Sequence, residues 1–262
     1  MSSKNNDKAV IIASLAAAAA ATTAVAGVMG KGPAKKLNTK ALETLKGNAP
    51  AYHPENISPK KDSPLAGKAL FFLGSSVTEG AGALHVSMAD YLARVDGAVV
   101  TKDCVSGTTI TDTGKDSYLA RIRKHGSHEH YDAIIIQLST NDAEQKLPLG
   151  TIAETKDSSF DAKTVLGSLE EIIRYAQKMW HCPVFIYTSP HYNSDVYAEM
   201  VRAMHKVTGK WGVALIDLYN DNEINSITRN QRRLYMADPV HPTQAGYLVW
   251  LLPAFEKALA GI

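Results

Sequence analysis

The stretch Ala69-Leu70-Phe71-Phe72-Leu73-Gly74-Ser75-Ser76 decides the fold. Five apolar residues run without a polar interruption and stop at a glycine followed by two serines. A strand with one wet face alternates apolar and polar residues, whereas a continuous run of this length suits a strand buried on both faces of a parallel sheet. Similar runs recur at 98–104, 132–138 (with Ile134-Ile135-Ile136), 183–188 (Val184-Phe185-Ile186-Tyr187) and 213–218. Helical patterns separate them at 86–95, 117–125, 164–180 and 196–211, and a last one covers 243–260. In 164–180 the residues Val165, Leu169, Ile172, Ile173, Ala176 and Met179 share one helical face. Five strands alternating with helices give an α/β domain with a parallel sheet and right-handed crossovers. There is no internal repeat and no second core, so residues 62–262 read as one domain.

The 262 residues are 45% hydrophobic and 21% charged, which excludes disordered, collagen-like and disulfide-scaffold chains. Charge is unevenly spread. Residues 1–61 hold nine Lys against Asp7, Glu43 and Glu55, a net charge of +6, and residues 62–262 carry −4. A mildly acidic body lacks the footprint of a nucleic-acid binder. Cys104 and Cys182 lack the spacing of a redox or zinc site. His125, His128 and His130 sit in a polar loop with no ligand-spaced partner, so no metal is assigned.

Residues 9–29 carry no charge and follow Lys4 and Lys8. A basic start, a short apolar core and Ala24-Val25-Ala26 match an export signal; the length also matches a membrane anchor of about 20 residues. Either reading makes 1–29 an export element, with membrane association through that segment and an extracytoplasmic body; an Ala-rich soluble helix is the plain alternative. Residues 30–61, rich in Lys and Pro, read as a linker with one short helix at 38–46.

In a parallel α/β sheet, ligands bind beyond the carboxyl ends of the strands. Those ends carry Gly74-Ser75-Ser76, Cys104-Val105-Ser106-Gly107, Ser139-Thr140-Asn141-Asp142 and Ser189-Pro190-His191, and Asp238-Pro239-Val240-His241 precedes the last helix. Phosphate-loop readings fail, because Ala81 stands where a P-loop needs Lys and Gly80-Ala81-Gly82 runs on to His85. There is no G-x-S-x-G elbow. What remains is a serine at a strand-to-loop turn, which needs a base and a group to orient that base. Asp238 and His241, three apart with Pro239 between them and Pro242 after, supply both in one stiff turn. The N–H groups of Ser76 and Gly107 and the amide of Asn141 are candidate oxyanion donors.

These blocks resemble those of the SGNH (GDSL-type) hydrolases. Residues 71–80, Ser106-Gly107, Ser139-Thr140-Asn141-Asp142 and Asp238-Pro239-Val240-His241 match the family's four motifs in order, over about residues 68–260. The resemblance implies a flavodoxin-like three-layer α/β/α sandwich of strand order 2-1-3-4-5. It makes Ser76 the nucleophile, His241 the base and Asp238 its partner, with Ser76, Gly107 and Asn141 as the oxyanion hole and no cofactor. It also implies two free thiols, since Cys104 and Cys182 lie on strands about 14 Å apart at standard spacing. Ser75 stands where the family commonly has Asp, and Ser139 where it has Gly. Ser139, His191, Tyr192 and Asn193 are expected to line the substrate pocket. Trp180, Trp211, Tyr247 and Trp250 are expected in the core. The implied function is hydrolysis of carboxylic esters with short acyl groups such as acetyl, on a small molecule or a glycan. Acyl transfer to a glycan and a silent glycan-binding module are the alternatives.

Overall fold

The computed structural model describes residues 41–262; the expectations for 1–29 and for 30–40 lie outside these. Five parallel strands, β1 (Ala69–Gly74), β2 (Val99–Cys104), β3 (Ala133–Gln137), β4 (Val184–Tyr187) and β5 (Ala214–Ile216), form one sheet in the order 2-1-3-4-5. Register is set by pairs such as Leu70 with Val100 and Ala133, and Ile136 with Ile186. In chain order the helices are α1 (Ser76–Glu79), α2 (Met88–Asp96), α3 (Tyr118–Ile122), α4 (Thr140–Glu144), α5 (Val165–Trp180), α6 (Asp195–Trp211), α7 (Asn222–Asn225) and α8 (Arg229–Tyr235). A π-helical segment, Gly246–Leu251, then leads into α9 (Leu252–Leu259).

Strand side chains alternate between faces, and the central strands use both. Leu70, Phe72 and Ile135 join Met88, Leu92, Tyr247, Trp250 and Phe255 on one side of the sheet. Phe71, Leu73, Ile134 and Ile136 join Leu169, Ile173, Trp180, Met204 and Trp211 on the other. This double burial is the reason the strands read as unbroken apolar runs. The result is a three-layer α/β/α sandwich. Burying one such Phe or Ile contributes about 1.5–3 kcal/mol.

The first helix pair shows how local signals set the ends. In α2 the Ser87 hydroxyl and Asp90 carboxylate form a capping box, and Gly97 ends the helix in the left-handed region at φ 72°. In α5 Thr164 caps the start by accepting from Gly167 N–H, and His181 takes the left-handed position at its end.

Two expectations need correction. Residues 41–61 are not a loose linker. The short helix expected at 38–46 is present over the described residues 41–47, and two 3-10 turns, Pro50–Tyr52 and Pro54–Asn56, follow. Tyr52 is buried in the core, and its carbonyl accepts from Tyr91 Oη at 2.6 Å. Asn48 donates to Gly82 O and accepts from Gln244 N–H, and Arg94 Nε donates to the carbonyls of Pro54 and Ile57. The body therefore begins upstream of residue 62. The prolines that suggested a spacer start the two turns, where their fixed φ is an advantage.

The last helix is also not a uniform α-helix over 243–260. Pro253 has no N–H to give back to the preceding turn, and that turn widens into the π segment. The wider turn lets Tyr247 Oη donate to Val77 O at 2.6 Å and Trp250 Nε1 to Ile224 O at 2.9 Å. Trp180, Trp211, Tyr247 and Trp250 are all buried, and both cysteines are free thiols. Burial pushes each thiol up to about 11. Among the described residues no helix is long and apolar enough to cross a membrane.

Candidate active site

All five strands end on one rim. At the end of β1 the chain turns directly into the single helical turn α1, and Ser76 is its first residue, almost completely buried. The N–H groups of a first turn have no partner within their own helix. Gln137, a polar residue inside an otherwise apolar strand, serves the turn: its Oε1 accepts from Ser75 N–H (2.9 Å), Thr78 N–H (3.2 Å) and Thr78 Oγ1 (2.7 Å).

His241 reaches the same place from the other end of the chain. An antiparallel bridge between Met236 and Pro242, with Ala237 N–H donating to His241 O at 2.9 Å, closes residues 236–242 into a tight loop. Within it Asp238 Oδ1 accepts from the N–H groups of Val240 and His241, both at 2.8 Å. Its Oδ2 lies 2.7 Å from His241 Nδ1, and His241 Nε2 lies 2.7 Å from Ser76 Oγ. Nδ1–H thus donates to Asp238, leaving Nε2 to accept from the serine hydroxyl. Burial pushes the Asp238 carboxyl up, but the hydrogen bonds from the His241 ring and from two backbone N–H groups outweigh it and hold the group at about 2. It is ionised throughout the neutral range. The three residues separated by up to 165 positions in sequence meet in one chain of hydrogen bonds.

Gly107 sits in the loop after β2 at φ 80°, a conformation costly for any residue with a Cβ. Among the described residues neither its N–H nor that of Ser76 has a hydrogen-bond acceptor. Asn141 lies in the first turn of α4, and its Nδ2 donates to Thr108 O at 2.9 Å, which ties it to the residue after Gly107.

Three further side chains lock this loop, and none was assigned a role from sequence. Asp142, fully buried, accepts from Ile110 N–H (2.9 Å), Thr111 N–H (3.0 Å) and Thr111 Oγ1 (2.7 Å). Arg121, also buried, donates to Gly74 O at 2.7 Å and to Asp103 O at 2.6 Å, and pairs with the Asp103 carboxylate. Glu79 accepts from the N–H of Ser106 at 3.1 Å and from its hydroxyl. The signal for Arg121 was a charge among the apolar residues of α3, and for Asp142 its place in a quoted motif.

The expected substrate-lining residues fare differently. Ser139 is fully buried and does not line a pocket; its hydroxyl caps α4 by accepting from Asn141 N–H at 3.1 Å. Tyr192 is half-buried and packed against Tyr197, with ring centroids 5.0 Å apart. His191 stays exposed, lies tilted against Tyr219 with ring centroids 4.7 Å apart, and has its carbonyl held by Arg232. Asn193 is exposed beside it. None of these last three hydrogen-bonds to Ser76, Asn141, Asp238 or His241 among the described residues. His125 is held by Asp103 and Glu129, and no group of three metal-ligating side chains occurs among the described residues.

The ordered blocks and the fold now meet an independent likeness: residues 72–249 match the GDSL-like lipase/acylhydrolase family. The chain belongs to that family. As a member of the GDSL-like lipase/acylhydrolases it is an ester-bond hydrolase. No curated protein sequence matches it. Among solved structures it is similar to a protein from Lactobacillus plantarum (23% identity, TM-score 0.60, covering 75% of this chain and 96% of that one). It is also similar to a protein of the G-D-S-L family from Desulfitobacterium hafniense (16%, 0.57, 73% and 99%). A third is a GDSL-like lipase from Bacteroides ovatus (15%, 0.56, 75% and 100%). At these identities the structural likenesses speak for the SGNH sandwich alone.

Proposed function

We propose that this GDSL-like hydrolase is a serine esterase for short acyl groups, with acetyl esters of hydroxyl-rich alcohols such as sugars as the substrate class. The observation that carries the reading is the Ser76–His241–Asp238 chain, with both of its contacts at 2.7 Å. His241 Nε2 takes the Ser76 proton as Oγ attacks the ester carbonyl, and Asp238 stabilises the imidazolium that forms. Negative charge then develops on the former carbonyl oxygen, where the N–H groups of Ser76 and Gly107 and the Asn141 amide receive it. His241 returns the proton to the leaving alcohol, and water, deprotonated by the same ring, releases the acid from Ser76.

The test uses the full-length chain with and without Ser76→Ala. Hydrolysis of phenyl acetate is compared with that of phenyl octanoate, alongside labelling by a fluorophosphonate. The expected result is acetate turnover well above octanoate turnover, with activity and labelling both lost in Ser76→Ala. Labelling without preference for acetate overturns the short-acyl assignment; turnover that survives in Ser76→Ala overturns the mechanism. Added sugar acceptor that diverts acetyl from water to the sugar reassigns the enzyme to acyl transfer.

A further inference from the structure

Leu84 and His85 are two successive residues with side chains in the left-handed region, at φ 57° and 64°. That region is disfavoured for any residue with a Cβ, and strain of this kind persists only where the surroundings impose it and gathers at functional sites. Here the loop is pinned from several sides. Gly80 O accepts the N–H groups of Ala83 and His85, Gln244 Nε2 donates to Ala83 O, Asn48 Nδ2 to Gly82 O, and Lys102 Nζ to His85 O. The strained turn nevertheless leaves its two side chains in solvent: Leu84 is 63% exposed and the His85 side chain 77%.

The turn stands beside the reacting groups. Gly82 approaches so closely that a Cβ there would lie 2.8 Å from His241 Cβ. His85 Nδ1 lies 3.1 Å from Glu79 Oε1. Glu79 is three residues after Ser76 on one helical turn, so the two side chains share a face. The second Glu79 oxygen holds Ser106, next to Gly107, and Val105 before it is also exposed. A solvent-facing imidazole, held by the same carboxylate that holds Ser106, therefore borders the candidate oxyanion loop.

We infer that His85, oriented by Glu79 and next to the exposed Leu84, recognises the alcohol part of the ester by binding a hydroxyl group of a sugar-like ring. The inference rests on the esterase reading and names the side of the substrate that reading leaves open. In the neutral ring Nδ1–H donates to Glu79, so Nε2 presents a lone pair that accepts a sugar O–H. The exposed Leu84 offers aliphatic surface to the C–H face of the ring.

The test compares methyl 6-O-acetylglucopyranoside with phenyl acetate. His85→Ala lowers the ratio of their kcat/KM values about tenfold, through KM of the sugar ester, and His85→Gln, whose Oε1 also accepts a hydroxyl proton, recovers part of it. Leu84→Gly lowers the same ratio while raising Tm, because glycine removes the left-handed strain; a merely structural loop would not couple those two changes. Ratios within twofold of the parent in all three variants overturn the assignment. In Ser76→Ala protein, the His85 ring protons shift in NMR spectra as methyl 6-O-acetylglucopyranoside is added. That titration reads the subsite without turnover, so unmoved ring protons overturn this inference alone, whereas a parent that hydrolyses neither ester overturns the esterase reading.

Discussion

Asp142→Asn is the most informative single change, because the carboxylate ties the loop after Gly107 to the helix that carries Asn141. Three hydrogen bonds end on its two oxygens, and the residue is fully buried. An asparagine of the same shape can keep Oδ1 toward Thr111, whose N–H and hydroxyl still find an acceptor. Its Nδ2 then faces Ile110 N–H, donor against donor. Stranding one buried N–H costs about 1–3 kcal/mol, and the two surviving bonds weaken by about 1 kcal/mol together once the acceptor is neutral. Removing a buried charge returns part of this, so the net loss is about 2 kcal/mol. For a domain of this size that lowers Tm by roughly 4–8 °C, readable by near-ultraviolet circular dichroism. Aryl acetate hydrolysis should lose about tenfold in kcat with KM nearly unchanged, the signature of an interaction made mainly in the transition state. A Tm within about 1 °C of the parent, with kcat intact, would refute the claim that this carboxylate holds the loop.

Other expectations are as direct. Asn141→Ala should lower kcat on the order of 100-fold with a small change in Tm; full activity removes it from the oxyanion hole. Arg121→Met leaves the Gly74 carbonyl with Val105 N–H alone and the Asp103 carboxylate with His125 alone, and should cost about 1–3 kcal/mol in urea unfolding, beyond a surface substitution. At His125 burial pushes the ring pKa down, but hydrogen bonds with Glu129 and Asp103 outweigh it and raise the group above 6.5. Its contribution is therefore fully present below about pH 6.5 and is lost as pH rises through the raised value. The Tm gap between the parent and His125→Gln should be widest near pH 6 and close toward pH 9; a gap that grows with pH contradicts the ion pairs. Asp238 has the opposite sign. Its carboxyl is depressed from 3.8 to about 2, so the stability it adds is complete above about pH 4 and disappears toward pH 2. The advantage of the parent over Asp238→Asn in Tm should vanish over that interval.

The sheet was legible because β1, β3 and β4 are buried on both faces, and double burial leaves no place for a polar residue except Gln137. The same property hid that residue's role, since a glutamine in an apolar run reads as an interruption until the turn it serves is folded beside it. The meeting of Ser76, Asp238 and His241 was legible because reactive residue types gather at strand ends or in a stiff turn. Arg121, Glu79 and Asp142 act through backbone groups far away in sequence, and spacing carries no trace of such bonds. Ser139 was placed at the correct position but given the wrong duty, because a motif fixes where a residue stands and not where its hydroxyl turns. The docking of 41–61 depends on one buried aromatic, Tyr52, and a few polar contacts, too little to leave a periodicity. The π segment follows from Pro253 only when the tertiary demands on Tyr247 and Trp250 are known.

Ser76 and His241 stand 165 positions apart, one near each end of the folded body. At a synthesis rate of about 5–20 residues per second, roughly ten to thirty seconds pass between the appearance of the serine and that of its partner. Throughout that time, on the proposed mechanism, Ser76 lacks the imidazole that would take its proton. On the proposed mechanism, a chain that stops before Asp238 carries all five strands but no base for Ser76. Chemical competence then arrives only when residues 238–241 are made, and a reagent that labels Ser76 would separate chains that carry them from shorter ones.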